Sequence, residues 1–256
     1  MFMDTSLIRR YWDRGWTVVE SVFAPADVDR VVRRAHRLAE ENLEKEDAPA
    51  SSLDVDDDGR RLPRKLDLPF LLDAIFREFV LSPKLRALIA ELIETEPFLV
   101  VDQIFMKPPR FGSAKPYHQD NAYFRCHPDD EVITAWIALD DVDESNGCLR
   151  YIDGSHRFPI LDHHAVSGKG HHLEPVLEGV DMRRESLAPV RKGGVVFHHS
   201  KTLHTSHRNT SDRWRRAYAT HWVGAGVTSE KQTIDNAYFK AHSTLYDRAL
   251  TSVAGT

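Results

Sequence analysis

The sequence predicts a mainly β domain with flanking α-helices, built as an antiparallel double-sheet barrel, or jelly roll. Three observations carry that expectation. Segments with apolar residues at helical spacing lie before Pro97. After it come short β-rich runs separated by Gly, Pro, Asn and Asp. At 256 residues the chain is long enough for one full hydrophobic core, so residues 1–256 read as a single domain with N-terminal helices packed on the barrel.

Thr5 to Trp12 carries an apolar and basic pattern that predicts a short helix, ended by Gly15 before the β-branched stretch Trp16-Thr17-Val18-Val19. Pro25 suits a first helical turn, and Val28, Val31, Val32, Ala35, Leu38 and Ala39 follow at helical spacing, which predicts an amphipathic helix from Ala26 to about Glu44. The stretch Glu46 to Arg64, with Asp54, Asp56, Asp57, Asp58 and Gly59, is acidic and poor in apolar residues, as expected of a mobile surface loop that acts as a lid. Ser82-Pro83 forms an N-cap and N1 pair for a helix whose stripe is Leu85, Leu88, Ile89, Leu92 and Ile93. Strands are expected at Phe98 to Met106, Val132 to Leu139, Leu149 to Ile152, Val195 to His199 and Ala217 to Val223. Asp162 to His172, rich in His and Gly, reads as a long loop near the functional site that touches substrate. The sequence shows no internal repeat.

Charge narrows the function classes. The formal net charge of -5, with both signs interspersed, leaves no basic face for nucleic acid and no polybasic tract for an anionic membrane. A small-molecule substrate is the expected partner. The start, Met1-Phe2-Met3-Asp4, lacks the regions of a signal peptide, and no apolar run is long enough to span a bilayer, so a soluble cytoplasmic protein is expected. Cys126 and Cys148 have no metal-binding spacing and read as reduced bystanders.

The chemistry is concentrated in His118-Gln119-Asp120, His204 and Arg215. On an extended strand residues i and i+2 share a side, so His118 and Asp120 present an imidazole and a carboxylate to one metal ion. His204, from a later strand, supplies a third ligand. Two His and one carboxylate on one face of an octahedral ion leave positions open for chemistry, the arrangement of non-haem Fe(II) oxygenases. Arg215 adds a guanidinium fork that takes a carboxylate through two parallel hydrogen bonds, which a lysine cannot reproduce.

Tyr11-Trp12-Asp13-Arg14-Gly15-Trp16-Thr17-Val18-Val19, Met106-Lys107-Pro108-Pro109, Tyr117-His118-Gln119-Asp120 and the run through Ala217 carry a further likeness by their order and spacing. In them the chain resembles the phytanoyl-CoA dioxygenase family, which includes ectoine hydroxylase and natural-product hydroxylases dependent on iron and 2-oxoglutarate. The resemblance implies a double-stranded β-helix, cupin-like core, with Fe(II) as cofactor and 2-oxoglutarate and O2 as co-substrates. It implies hydroxylation of an unactivated C–H bond in a small metabolite or natural-product intermediate. In the family the second His is followed eleven residues later by an arginine that binds the distal carboxylate of 2-oxoglutarate, which here is Arg215 after His204. Ser206 matches a position that helps hold that carboxylate, and Trp136 matches an aromatic beside the co-substrate, with Thr134 on the same strand face. Gln103 and Lys107 fall where relatives place co-substrate or substrate contacts. The chain has Gly193-Gly194 and Asp153-Gly154-Ser155-His156 where the family often has Gly-Asp and Pro-Gly-Ser-His. These are turns, so the departures bear on loop geometry. Related halogenases replace the carboxylate ligand with a small residue, whereas Asp120 keeps it here.

Each residue also has a plainer reading. His199 lies beside the last ligand and reads as a supporting or core residue. His163, His164, His171 and His172 lack a completing Cys or carboxylate and read as exposed or substrate-contacting rather than as a zinc site. His156 is assigned to a turn. Arg215 is equally one of a basic run with Arg213 and Arg216, Trp136 is equally core packing, and Phe105, Tyr123, Phe124 and Trp222 either line a pocket or fill the barrel. Two rival functions stay open: a cupin-like metal-dependent hydrolase or isomerase without 2-oxoglutarate, and a non-catalytic binding member of the family.

Overall fold

Helix α1 (Thr5–Arg14) starts at Asp4, whose side chain accepts from the Ser6 N–H, and ends at Gly15 in the left-handed region at φ 85°. A side chain there would be strained by that φ, and its Cβ would stand 2.5 Å from both His156 Nδ1 and Thr202 Oγ1. The computed structural model describes residues 3–56, 58–166 and 169–255, together with the side chains of those outside 166–172. Strand β1 (Trp16–Val19) leads to α2 (Pro25–Leu43), which buries the stripe Val28, Val31, Ala35 and Ala39. Next come β2 (Leu53–Val55), β3 (Arg61–Pro63) and β4 (Lys65–Asp67), then α3 (Pro69–Leu72), α4 (Ala74–Val80) and α5 (Pro83–Ile93). Ser82 Oγ caps α5 by accepting from the Leu85 N–H at 3.3 Å, and the helix buries Leu85, Leu88, Ile89, Leu92 and Ile93.

The β-rich part follows: β5 (Pro97–Lys107), β6 (Lys115–His118), α6 (Asp120–Phe124), β7 (Cys126–His127), β8 (Val132–Ala138) and β9 (Leu149–Ile152). It continues with β10 (His163–Val166), β11 (Lys169–Pro175), β12 (Glu185–Ala188), β13 (Val195–His199), β14 (His204–Ser206), β15 (Arg215–Gly224) and β16 (Thr228–Ser229). Helices α7 (Tyr238–Ala241) and α8 (Ser243–Ala254) close the described chain.

Two sheets make the jelly roll. One runs β1-β13-β8-β15-β5-β4 and the other β12-β9-β14-β6. Period-2 alternation divides the core. Ile133, Ala135 and Ile137 of β8 face the helices, with Val195 and Phe197 of β13 beside them. Trp136 and Ala138 of β8, with Val196, face the second sheet and meet Leu149, Tyr151 and Ala188 from it. Strand β8 is buried along its whole length, as a strand with helices on one side and a sheet on the other must be.

Four expectations need correction. Within the acidic stretch Leu53–Val55 and Arg61–Pro63 pair as a hairpin, β2 with β3, whose Asp54 accepts from Ser113 Oγ at 3.1 Å and pairs with Arg64 at 3.6 Å. Asp54 looks solvated in sequence but finds Ser113 on another segment, and Asp56 is held within the hairpin by Arg60, so this part is not an irregular loop. Asp57 lies outside the described residues. The His-rich segment is likewise a hairpin, β10 with β11. Positions 167 and 168, and the side chains of His171 and His172, lie outside the described residues. Asp120 does not continue the strand of His118 but opens α6. Helices are not confined to the N-terminal side, because α7 and α8 return to the helical layer, where the Leu99 N–H donates to Tyr246 Oη at 3.0 Å. Trp222 fills the helix-facing core rather than a pocket.

Candidate metal and co-substrate site

Strands β6 and β14 are far apart in sequence and adjacent in the sheet, and their register sets His118 directly opposite His204. The two imidazole centroids lie 4.1 Å apart. Gln119 between His118 and Asp120 keeps extended dihedrals, φ -113° and ψ 129°, so Asp120 still swings to the side of His118 although it begins a helix. Asp120 Oδ1 stands 3.6 Å from His118 Nε2 and 3.7 Å from His204 Nε2. One ligand atom from each of the three residues falls within 4.8 Å of the others.

The surroundings fix which atoms face inward. His118 Nδ1 lies 2.9 Å from the Pro116 carbonyl and His204 Nδ1 2.9 Å from the Thr202 carbonyl. Each Nδ1–H therefore donates to a carbonyl, which leaves the Nε2 lone pair free to ligate. Asp120 Oδ2 is taken by Thr134 Oγ1 at 2.6 Å and by His198 Nε2 at 3.0 Å. That leaves Oδ1 for a cation. Burial opposes ionisation of Asp120, but His204, the hydrogen bond from His198 and the nearby His221 outweigh it and hold the carboxyl well below the usual carboxylate range. Burial, with His204 and Lys115 adding to it, pushes His118 well below the usual imidazole range. A carboxylate at Asp120 and a neutral imidazole at His118 are the protonation states that metal binding requires of them.

A cavity of about 350 Å³ opens between the sheets, and the triad, Trp136, Ser206 and Arg215 all line it. Arg215 is 2% exposed and sits across β15 and β5 from Lys107. Its guanidinium carbon is 5.6 Å from the Trp136 ring centroid, its Nε has no hydrogen-bond partner, and no described carboxylate pairs with it. Burial lowers its pKa to about 10, so it stays cationic at neutral pH. An uncompensated buried cation costs several kcal/mol. An anion seated in the cavity offsets that cost.

The remaining expected residues divide between the cavity wall, where Gln103, Lys107, Thr134 and Trp136 all lie, and its surroundings. Lys107 is turned toward the β14 end, with Nζ donating to Ser206 Oγ at 2.9 Å and to the His207 carbonyl. Gln103 lines the cavity while its Nε2 donates to Asp67 Oδ1 at 2.8 Å. Thr134 reaches Asp120 rather than standing free beside Trp136. Arg216 faces away and makes a two-point contact with Asp140, while Arg213 pairs with Asp143. Phe105, Tyr123 and Phe124 line the cavity. His199 points out of the cavity to Asp130 at 3.1 Å, and His156 is in a turn with Nε2 3.1 Å from the Trp12 carbonyl. His163 receives the Gln119 N–H at 3.3 Å, so the His-rich hairpin does pack beside the triad. Cys126 and Cys148 are both free and buried. No helix among the described residues is long and apolar enough to cross a membrane.

Sequence reasoning missed His198, His221 and Lys115. The signal for His198 was available, because alternation along β13 sends Val196 and His198 to the cavity side and Phe197 and His199 to the other. For His221 it was available too, because Arg215, Ala217, Ala219 and His221 follow one another at period 2 on the cavity side of β15 while Tyr218 and Trp222 face the helices.

With the geometry in hand, comparison with known proteins is informative. The family model for phytanoyl-CoA dioxygenase (PhyH) matches residues 11–217. Phytanoyl-CoA dioxygenase domain-containing protein 1 of Rattus norvegicus is 34% identical over 160 residues, covering 61% of this chain and 55% of that protein, so the chain spans about half its relative's length. The crystal structure of EvdO2 from Micromonospora carbonacea var. aurantiaca matches with a TM-score of 0.71 and 25% identity over 89% of this chain and 93% of its own. The non-heme alpha ketoglutarate dependent carbocyclase SnoK from nogalamycin biosynthesis matches with a TM-score of 0.67 and 26% identity, covering 90% and 88% of the two chains.

Proposed function

Because the chain belongs to the phytanoyl-CoA dioxygenase family, we propose that it is an Fe(II)- and 2-oxoglutarate-dependent oxygenase that uses O2 to oxidise an unactivated C–H bond of a small molecule. One observation carries this reading: an imidazole, imidazole and carboxylate triad shares a cavity with a buried guanidinium that has no described counter-ion. The donor set suits a divalent iron, and the guanidinium suits the far carboxylate of a keto diacid. A metal hydrolase or isomerase gives no reason to bury Arg215 uncompensated.

His118, Asp120 and His204 would hold the metal. Thr134 and His198 fix the Asp120 carboxylate so that Oδ1, not Oδ2, is offered. Tyr151 lies 2.8 Å from His198 Nδ1 and donates to it, which commits the His198 Nε2 proton to Asp120. Arg215 would grip the distal carboxylate through two parallel hydrogen bonds, with the Trp136 face limiting its motion and Ser206 adding a hydroxyl. Lys107 keeps Ser206 in place. Iron and 2-oxoglutarate held there would supply, with O2, the oxidising chemistry, 2-oxoglutarate leaving as succinate and CO2. The protein's work is to orient the target carbon and to keep water from the reacting centre.

Asp120 fills the carboxylate position, which supports oxygen transfer rather than halide transfer. Hydroxylation is the expected outcome, and because one structural neighbour is named a carbocyclase, product analysis is what separates hydroxylation from ring closure. The decisive first test is an anaerobic titration. A weak visible charge-transfer band should appear only when Fe(II) and 2-oxoglutarate are both present. A band that needs iron alone, or none with both, rejects the reading.

A further inference from the structure

Beyond the deep pair Lys107 and Arg215, the cavity wall carries a second cationic position. Lys115, on β6 three residues before the first triad histidine, lines the same cavity. The polar contacts described for its side chain are one hydrogen bond, from Nζ to Tyr123 Oη at 3.2 Å, and an approach of 5.2 Å to the Tyr123 ring centroid. The neighbouring lining cations are committed elsewhere: Lys65 pairs with Asp67 at 2.9 Å, and Arg64 with Asp54 at 3.6 Å. Among the described residues Lys115 makes no ion pair; Asp120, the carboxylate in the lining, gives Oδ2 to Thr134 and His198 and turns Oδ1 toward the triad histidines. Burial lowers the Lys115 pKa to about 8, with Asp120 acting the other way.

Tyr123 completes the position. Its Oη accepts from Lys115 Nζ and also from the Leu173 N–H at 2.9 Å, which uses both lone pairs. The phenolic proton is then left to donate. The tyrosine ring is set edge-on to His118 at 6.0 Å between centroids, which puts this donor pair on the triad's flank.

We propose that Lys115 and Tyr123 form a second anion subsite that receives an anionic group of the primary substrate and so places that substrate beside the metal. The inference deepens the oxygenase reading by assigning the substrate a class: a small molecule bearing a carboxylate or a phosphate. Arg215 takes the co-substrate's carboxylate, so the two anions do not compete.

The test uses the full protein loaded with Zn(II) and saturating 2-oxoglutarate, probed by fluorine NMR with fluorinated aryl carboxylates, aryl phosphates and the neutral methyl ester of each carboxylate. Anionic probes should bind and the esters should not, and the difference between the carboxylate and phosphate arms identifies the headgroup. Lys115→Met should weaken the anionic probes by at least about tenfold, as expected for losing a hydrogen bond to a charged group. Lys115→Arg should retain most of the binding, and Tyr123→Phe should weaken it several-fold. Esters that bind as well as acids, no anionic probe binding at millimolar concentration, or unchanged binding in a folded Lys115→Met protein would overturn the proposal. Co-substrate affinity is read in the same samples. A protein that fails to bind 2-oxoglutarate defeats the oxygenase reading, and the probes then report on Lys115 separately.

Discussion

Thr134 Oγ1 donates to Asp120 Oδ2 across 2.6 Å, from the middle of one sheet to the triad carried by the other. The same hydroxyl lies 2.9 Å from His221 Nδ1, so it accepts there and its direction is fixed from both sides. Removing it should loosen the carboxylate without emptying the site. Thr134→Val, which keeps the branched shape, should lower metal affinity roughly 10–100-fold, the usual cost of losing a partner of a metal ligand. Competition with a chromophoric chelator measures it, and an unchanged affinity would reduce the bond to ordinary packing.

Replacing the ligands themselves should be more severe. His118→Ala, Asp120→Ala and His204→Ala should each abolish 2-oxoglutarate turnover with iron in excess, since each removes one of three protein donors. Circular dichroism should show a folded protein in each case. Full turnover in any one of them moves the metal elsewhere.

Arg215 offers a sharper contrast. Arg215→Lys keeps a charge but loses the fork, and it should raise KM for 2-oxoglutarate by the equivalent of about 2–5 kcal/mol, with little effect on iron affinity. Arg216→Lys, which alters the contact to Asp140 on the opposite side of β15, should leave that KM unchanged. Steady-state kinetics with varied 2-oxoglutarate decides, and equal KM values for the two variants would withdraw the anchor assignment.

How much of this was legible in the sequence follows from the range of each signal. Helix α5 could be read because its cap and stripe are local, in Ser82-Pro83 and the spacing from Leu85 to Ile93. The long strands β5, β8 and β15 announced themselves by composition. The acidic and His-rich hairpins did not, because their pairing and anchoring depend on residues distant in sequence: Asp54 on Ser113, and His163 on Gln119. Within the site, the triad and Arg215 were marked by residue type and spacing. Lys115 was not, since its role comes from which strands become neighbours, and His198 was marked only by the alternation that sends it to the cavity side of β13. His204 stands opposite His118 through β14 and β6, and no local pattern states that pairing.

Asp102 is fully buried on β5 under the helical layer. Its carboxyl is held by the hydroxyls of Tyr218 and Tyr238, the latter at 2.6 Å, and by the Phe70 N–H at 3.0 Å. Burial raises its pKa to about 7, against the hydrogen bonds from the tyrosines and Phe70 that act the other way. In the unfolded chain an Asp titrates near 3.9. Between those values the folded state binds a proton that the unfolded state has released, so this group's contribution is full below about pH 4 and is lost as pH rises through about 7. The total is on the order of 4 kcal/mol. Two buried histidines, His156 and His198, with pKa values lowered to about 4 chiefly by burial, titrate over part of the same window with the opposite sign. The wild-type curve alone therefore does not isolate Asp102, but a difference does. Asp102→Asn keeps the donor and acceptor capacity of a protonated carboxyl and cannot ionise. Relative to wild type, its unfolding free energy from urea melts should rise as pH goes from 4 to 8, while the histidine contributions cancel. A difference that stays flat across that range would show that Asp102 titrates normally in the folded protein.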